Sequence, residues 1–392
     1  MDVHAANLLL AYDQPPDLLR DSTIRSIKSR IVDVPTVRKH KLSNTAITHQ
    51  NYVHVEVLFD NGIVGHGEAS TLGGPRWAEE SVEAIKANID AYLTPALIGQ
   101  PGCRVQAANT LLAKAAKRNF AAKSALNTAI LDALGKSLQV SVATLLGGVV
   151  QNSFSVIWAL ASGDVEQELE EAKAKIAARQ FNRFKIKLGF ADIRTDLRRL
   201  ERLRAELPEG TDIVADINQG WSEADFYRYL PALTDLNLSL IEQPLDADDM
   251  EGMTRIARRS PIPIMLDEGV FTPAQAQRGA QLGAGSVLSL KLCKHGSAQG
   301  MQQIAGIASA AGQELYGGCL LESSLGAAAH LAVFATLPKL HWGCEHFGPL
   351  ILTEDTTTES LVFKDFQVHL PVGPGLGVTP DPDKIKAFER KD

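Results

Sequence analysis

Three carboxylates are spaced as though one structural unit were repeated: Asp216 in Ile213-Val214-Ala215-Asp216-Ile217-Asn218, Glu242 in Leu240-Ile241-Glu242-Gln243-Pro244, and Asp267 in Ile264-Met265-Leu266-Asp267-Glu268. They stand 26 and then 25 positions apart, each at the end of a short apolar run. If each closes one of three successive strands about 4.8 Å apart, their side chains can converge on one ion. Oxygen donors alone select a hard cation, Mg2+ or Mn2+, and leave coordination positions for water and substrate. The bland alternative is that each acid caps the helix that follows it. All three falling in register argues against it.

Lysines flank this trio in equally unusual places: Lys185 and Lys187 in Phe184-Lys185-Ile186-Lys187-Leu188, and Lys291 in Leu288-Ser289-Leu290-Lys291-Leu292. Two positions apart on a strand, Lys185 and Lys187 share a face. On an exposed edge they would be harmless. Inside a closed parallel barrel an unpaired ammonium costs several kcal/mol unless carboxylates surround it. A partly desolvated lysine beside a divalent cation is expected to have a lowered pKa, which suits it to proton transfer near neutral pH. Glu345, in Trp342-Gly343-Cys344-Glu345-His346-Phe347, falls at the expected last strand. The run Gly373-Pro374-Gly375-Leu376-Gly377 lacks a P-loop lysine and reads as a turn. His54, His66 and His330 lack metal-ligand spacing and read as structural.

The elements that must position these residues form two textures. Residues 24–35 and 52–59 alternate apolar and polar, Asp60-Asn61-Gly62 supplies a turn, and residues 63–68 read as the return strand. Residues 78–147 read as helices, with an amphipathic Ala-rich stretch at 121–136. From about residue 153, short apolar strands alternate with helical segments at 184–188, 211–217, 238–242, 264–267 and 287–292. That alternation implies a parallel sheet, with room for seven or eight βα units of about 25 residues. A doubly wound sheet is the rival; charged residues at strand ends favour a barrel, whose C-terminal mouth would gather them.

At 392 residues the chain exceeds what one core usually supports, which suits a barrel with a smaller partner domain. Hydrophobic residues at 45% and charged residues at 22% argue against disorder and against a membrane protein. A net charge of -7 offers no basic surface for nucleic acid or anionic membrane. Four scattered cysteines suggest neither disulfides nor a zinc site. The first 23 residues, with Pro15-Pro16 and no basic region before Leu8, read as an extension rather than a signal peptide. A cytoplasmic location is expected.

Together these residues resemble the enolase superfamily and, within it, the muconate-lactonizing subgroup. The marks are the paired Lys185 and Lys187, the Asp216, Glu242 and Asp267 series, the Lys291 strand, and longer strings such as Gly67-Glu68-Ala69-Ser70-Thr71-Leu72-Gly73-Gly74, Leu315-Tyr316-Gly317-Gly318 and Phe347-Gly348-Pro349-Leu350. The resemblance implies a (β/α)7β TIM-like barrel with an N-terminal α+β capping domain: cap at 24–150, barrel at 151–365, and a segment at 366–392 returning to the cap. It implies Asp216, Glu242 and Asp267 as ligands of Mn2+ or Mg2+, Lys187 as general acid/base supported by Lys185, Lys291 on the opposite face, and Glu345 on the enolate side. Leu72, Trp77, Asn218 and Phe347 would contact substrate.

The reaction implied is metal-dependent cycloisomerisation of cis,cis-muconate, or a substituted muconate, to muconolactone through a stabilised enolate. The partner is then a small dicarboxylate, and a homo-oligomer is expected. Dipeptide epimerase and o-succinylbenzoate synthase or N-acylamino acid racemase activities use the same lysines and ligands; Cys344-Glu345-His346 stands where dipeptide epimerases carry a DxD motif. A non-catalytic dicarboxylate-binding protein is the remotest alternative. The chain departs from the pattern at Gly269 after Glu268, where many relatives have Ser, at Asn44, His49 and Asn51 of the cap loop, and at Trp77.

Overall fold

The structure, a computed structural model, describes residues 22–41, 45–189 and 191–391. Nearly all of the expected N-terminal extension, and Asn44 of the cap loop, lie outside these residues. Three antiparallel strands come first among the described residues: β1 (Ile24–Lys41), β2 (Ala46–Phe59) and β3 (Val64–Thr71). β1 runs past the expected residue 35 to Lys41, taking a register shift between Pro35 and His40.

One face of this sheet, with Val53, Val55 and Val57, packs on the helix Phe120–Leu138. That helix is not amphipathic as expected, because residues 121–135 are all buried. It lies between sheet and barrel, and its alanines let both approach. Gly65 and Gly67 make the contact possible: a Cβ on either would come within 2.0 Å of a helix carbonyl, that of Ala129 or Ala125.

The barrel strands are β5 (Trp158–Leu160), β6 (Arg183–Lys187), β7 (Asp212–Asp216), β8 (Leu240–Glu242), β9 (Ile264–Leu266), β10 (Val287–Leu290) and β11 (Glu314–Gly317), after a short β4 (Ser153–Ser155) outside the barrel. All neighbours are parallel and in chain order. A doubly wound sheet would reverse its order midway. The circle closes through a single residue: Cys344 bridges Gly317 at the end of β11 and Val156 just before β5. The fold is a (β/α)7β barrel under an α+β cap.

Helices between the strands begin at dedicated caps. Ser222 and Thr272 form capping boxes and Asp249 accepts from Gly252 N–H, so Asp216, Glu242 and Asp267 are not capping residues. Ile157, Val214, Leu240, Met265, Val287 and Tyr316 form an apolar layer inside the barrel, every member nearly inaccessible.

After the barrel, β12 (Phe363–Lys364) pairs with β13 (Gln367–His369), which in turn pairs with β4. The chain then reaches the cap: Leu376 N–H donates to Asp132, and Arg390 pairs with Asp33 at 2.6 Å. No helix among the described residues is long and apolar enough to cross a membrane, and the four cysteines are free. Gly65→Ala is expected to lower unfolding free energy by about 1–3 kcal/mol, because backbone rather than a flexible side chain occupies the Cβ position; denaturant titration measures it.

Candidate active site

Strand register assembles the first half of the site. Lys187 is paired with Asp216, and Asp216 with Glu242, so the three occupy one level at the C-terminal ends of β6, β7 and β8. Lys185 lies one pleat lower, on the same inward face. Its ammonium meets three carboxylates: Glu242 at 2.6 Å, Asp216 at 3.1 Å and Glu345 at 3.0 Å. Lys187 Nζ donates to Asp216 Oδ2 at 2.5 Å and to Asn218 Oδ1 at 3.3 Å.

The second half gathers around Asp267. Lys291 donates to its Oδ2 at 2.5 Å, and lies 4.2 Å from the centre of the Trp77 ring. Lys294, which the sequence reading missed, donates to Asp267 Oδ1 at 2.7 Å, to the Asp267 carbonyl at 2.9 Å and to the Ser289 carbonyl at 2.8 Å. The strand expected to run through residue 292 ends at Leu290, and the one-turn helix Leu292–His295 turns Lys294 back onto Asp267. The Lys291-x-x-Lys294 spacing was the available signal, legible only with that helical turn in place.

Gln243 and Glu268, quoted in the motifs, were given no role by the sequence. Gln243 Oε1 accepts from Asp267 N–H, fixing β9 against β8, and Glu268 accepts from Asn218 Nδ2 at 3.0 Å. Asn218 therefore bridges Lys187 and Glu268, in a left-handed backbone conformation with φ 43°.

One cavity is lined by Leu72, Trp77, Lys185, Lys187, Asp216, Asn218, Lys291, Glu345 and Phe347, joined by His40, Cys319 and Leu321. Glu242 and Asp267 are buried at its edge, reached through Lys185 and Lys291. Phe347 is itself nearly inaccessible and packs 4.8 Å from the Trp158 ring. His49 and Asn51 lie elsewhere, beside residues 387–391, because strand alternation turns Gln50 and Tyr52 toward the barrel instead.

Facing charges set the electrostatics of the site. Burial pulls Lys185 and Lys291 down, but the facing carboxylates outweigh it, so both ammonium groups are held above their ordinary value. Burial would raise Asp216 and Asp267; Lys185 with Lys187, and Lys291 with Lys294, hold them low. Glu242 goes the other way: burial and the neighbouring Asp216 push it well up. Although Lys185 is close, neither Glu242 oxygen has a well-aligned hydrogen bond. A buried, oxygen-only donor set with an under-satisfied carboxylate at its centre fits a hard divalent cation.

The cap closes over this mouth through polar contacts. Tyr52 OH donates to the Leu321 carbonyl at 2.7 Å, Gln50 Nε2 to the Leu320 carbonyl at 2.8 Å, and Ser323 donates through N–H and hydroxyl to Glu68. Burial pushes Glu68 up from 4.5 to about 8. The folded state thus holds this proton more tightly than the unfolded chain, a contribution present below pH 4.5 and lost as pH rises through 8. Glu68→Gln is expected to flatten the fall in stability between pH 5 and 8 relative to the parent, measured by denaturant unfolding at both values.

Residues 26–147 match the mandelate racemase / muconate lactonizing enzyme N-terminal domain, and residues 167–384 match the enolase C-terminal domain-like family. The chain is 42% identical to muconate cycloisomerase 1 of Pseudomonas putida, covering 94% of this chain and 99% of that protein. It is 39% identical to a chloromuconate cycloisomerase of Cupriavidus necator, with the same coverage. The crystal structure of muconate lactonizing enzyme from Pseudomonas fluorescens complexed with muconolactone superposes with a TM-score of 0.93 at 39% identity, covering 94% of this chain and all of that one. Both domains and their order are those of one family, and the chain belongs to the mandelate racemase / muconate lactonizing enzyme family of the enolase superfamily.

Proposed function

We propose that this chain catalyses the divalent-metal-dependent cycloisomerisation of cis,cis-muconate, or a substituted muconate, to the corresponding muconolactone. The observation that carries the reading is the pair of lysine walls, Lys185 with Lys187 and Lys291 with Lys294, facing each other across the buried carboxylates in a family whose similar members include muconate cycloisomerases. Substituted muconates stay within it because chloromuconate cycloisomerases are among the similar proteins. The same reading takes the chain as a cytoplasmic homo-oligomer acting on a small dicarboxylate.

Asp216, Glu242 and Asp267 would hold the ion, Mg2+ or Mn2+ by the hardness of their oxygens. When bound, a divalent cation stabilises the negative charge that builds on the adjacent substrate carboxylate as the ring closes. The distal carboxylate oxygen forms a C–O bond to the conjugated alkene, and the displaced π pair moves to the carbon α to the other carboxylate. That carbon takes a proton from Lys187 Nζ, which regains one from water. Lys187 has two of its three N–H donors engaged by Asp216 and Asn218, which aims the third at the cavity.

Lys185, with three carboxylate partners, supplies charge and holds Lys187's partner Asp216 in place. Lys291 has one carboxylate partner and lies against Trp77, so it can turn toward a substrate carboxylate; Glu345 borders the enolate side. Leu72, Trp77 and Phe347 supply apolar walls whose shape discriminates a substituent by about 1–3 kcal/mol. Because nucleophile and electrophile belong to one molecule, orienting it is most of the task.

The test is loss of the diene ultraviolet absorbance of cis,cis-muconate in the presence of Mn2+ or Mg2+. Chelation should abolish it, and Lys187→Ala should slow it by about 10²–10⁴-fold while metal binding persists. No loss with either ion and with substituted muconates would sink the reading. Gly318→Ala probes Lys291 without touching its chemistry: the new Cβ would come within 2.4 Å of Lys291 Cε. A fall in kcat of about 10–100-fold with the fold intact by circular dichroism is expected.

A further inference from the structure

The cap sheet carries a second cluster of ligating side chains, which includes two histidines, His54 and His66, that the sequence alone marks as structural. His54 and Glu56 are two apart on β2 and project from one face. The hairpin register sets His66 of β3 directly across from Glu56. One ligand atom from each of the three lies within 4.8 Å of the other two. His66 Nδ1 and His54 Nε2 are 3.3 Å apart. Two nitrogens bound tetrahedrally to one ion at about 2.0–2.1 Å stand at nearly that separation.

The surroundings suit an ion as well. His54 is buried, and its Nε2, the nitrogen that faces His66, has only that imidazole as a partner. Burial drops both imidazoles to about 3, leaving them in the neutral form that ligates metals near pH 7. His66 and Glu56 are partly exposed, which gives an ion a way in. Arg30 engages Glu56 Oε1 at 2.5 Å and leaves Oε2 for the ion. Two imidazoles and one carboxylate favour borderline transition metals, whereas the oxygen-only set at the barrel mouth favours Mg2+ or Mn2+.

We infer that His54, Glu56 and His66 form a binding site for a divalent transition metal such as Zn2+ or Co2+, which clamps β2 to β3 independently of the barrel-mouth site. The rival account is a stacked histidine pair, 5.3 Å between ring centres, sharing one proton and binding nothing.

Co2+ titrated into the full chain in saturating Mg2+ separates the two. The expected result is one equivalent of Co2+ with visible d–d absorption that Mg2+ does not displace. His66→Ala should abolish the band, Glu56→Gln should weaken Co2+ binding at least tenfold, and Asp267→Asn should leave the band unchanged. Zn2+ should raise the thermal unfolding midpoint of the parent and not of His66→Ala. Because Glu56 is partly exposed, Glu56→Gln keeps the test alive if His66→Ala fails to fold. No Mg2+-resistant band, or a band of equal strength in Glu56→Gln, overturns the site; neither result bears on muconate turnover.

Discussion

Four ammonium groups and four carboxylates are buried together at the mouth of the barrel: Lys185, Lys187, Lys291 and Lys294 against Asp216, Glu242, Asp267 and Glu345, none more than 6% exposed. Ions buried this deeply are tolerable only together. Deleting one partner leaves an uncompensated charge, at a cost of about 3–5 kcal/mol. The fold is therefore obliged to keep all eight in register. A divalent cation entering with a dicarboxylate dianion adds no net charge to this balance, which suits the proposed chemistry.

Register is what the barrel supplies. Parallel pairing fixes Lys187, Asp216 and Glu242 on one level, and the apolar layer from Ile157 to Tyr316 forms a floor beneath them. That floor keeps water from reaching the charges from below. Closure at Cys344 brings Glu345 to the partner side of Lys185, and it depends on Gly317, where a Cβ would come within 2.6 Å of the Cys344 Cβ. The cap completes the enclosure from above, anchored by Tyr52, Gln50 and Glu68 on the loop that follows β11. In such an enclosure electrostatic interactions are stronger than in water, and a developing negative charge is stabilised by groups already in place.

The two lysines on Asp267 divide the labour. Lys294 has its three donors committed to Asp267 and the Ser289 carbonyl, so it holds the acid in one orientation. Lys291 shares only the other oxygen and faces the cavity across Trp77. The sequence singles out Lys291 and passes over Lys294, which a one-turn helix brings onto Asp267.

Residue order along the chain determined the strand-end carboxylates, the Lys185 and Lys187 pair, and the alternation of strand and helix. These follow from local rules: apolar runs of strand length, a period of two, and acids where those runs stop. Tertiary structure decided what spacing cannot express. Lys294 meets Asp267 because a helical turn reverses the chain, and His54 meets His66 and Glu56 because hairpin register aligns them. The 121–136 stretch is buried on every side because sheet and barrel both press on it, which no single-helix pattern reveals. Lys185 and Lys291 are held above their ordinary pKa, since the balance between burial and facing charge depends on distances that only the closed barrel sets.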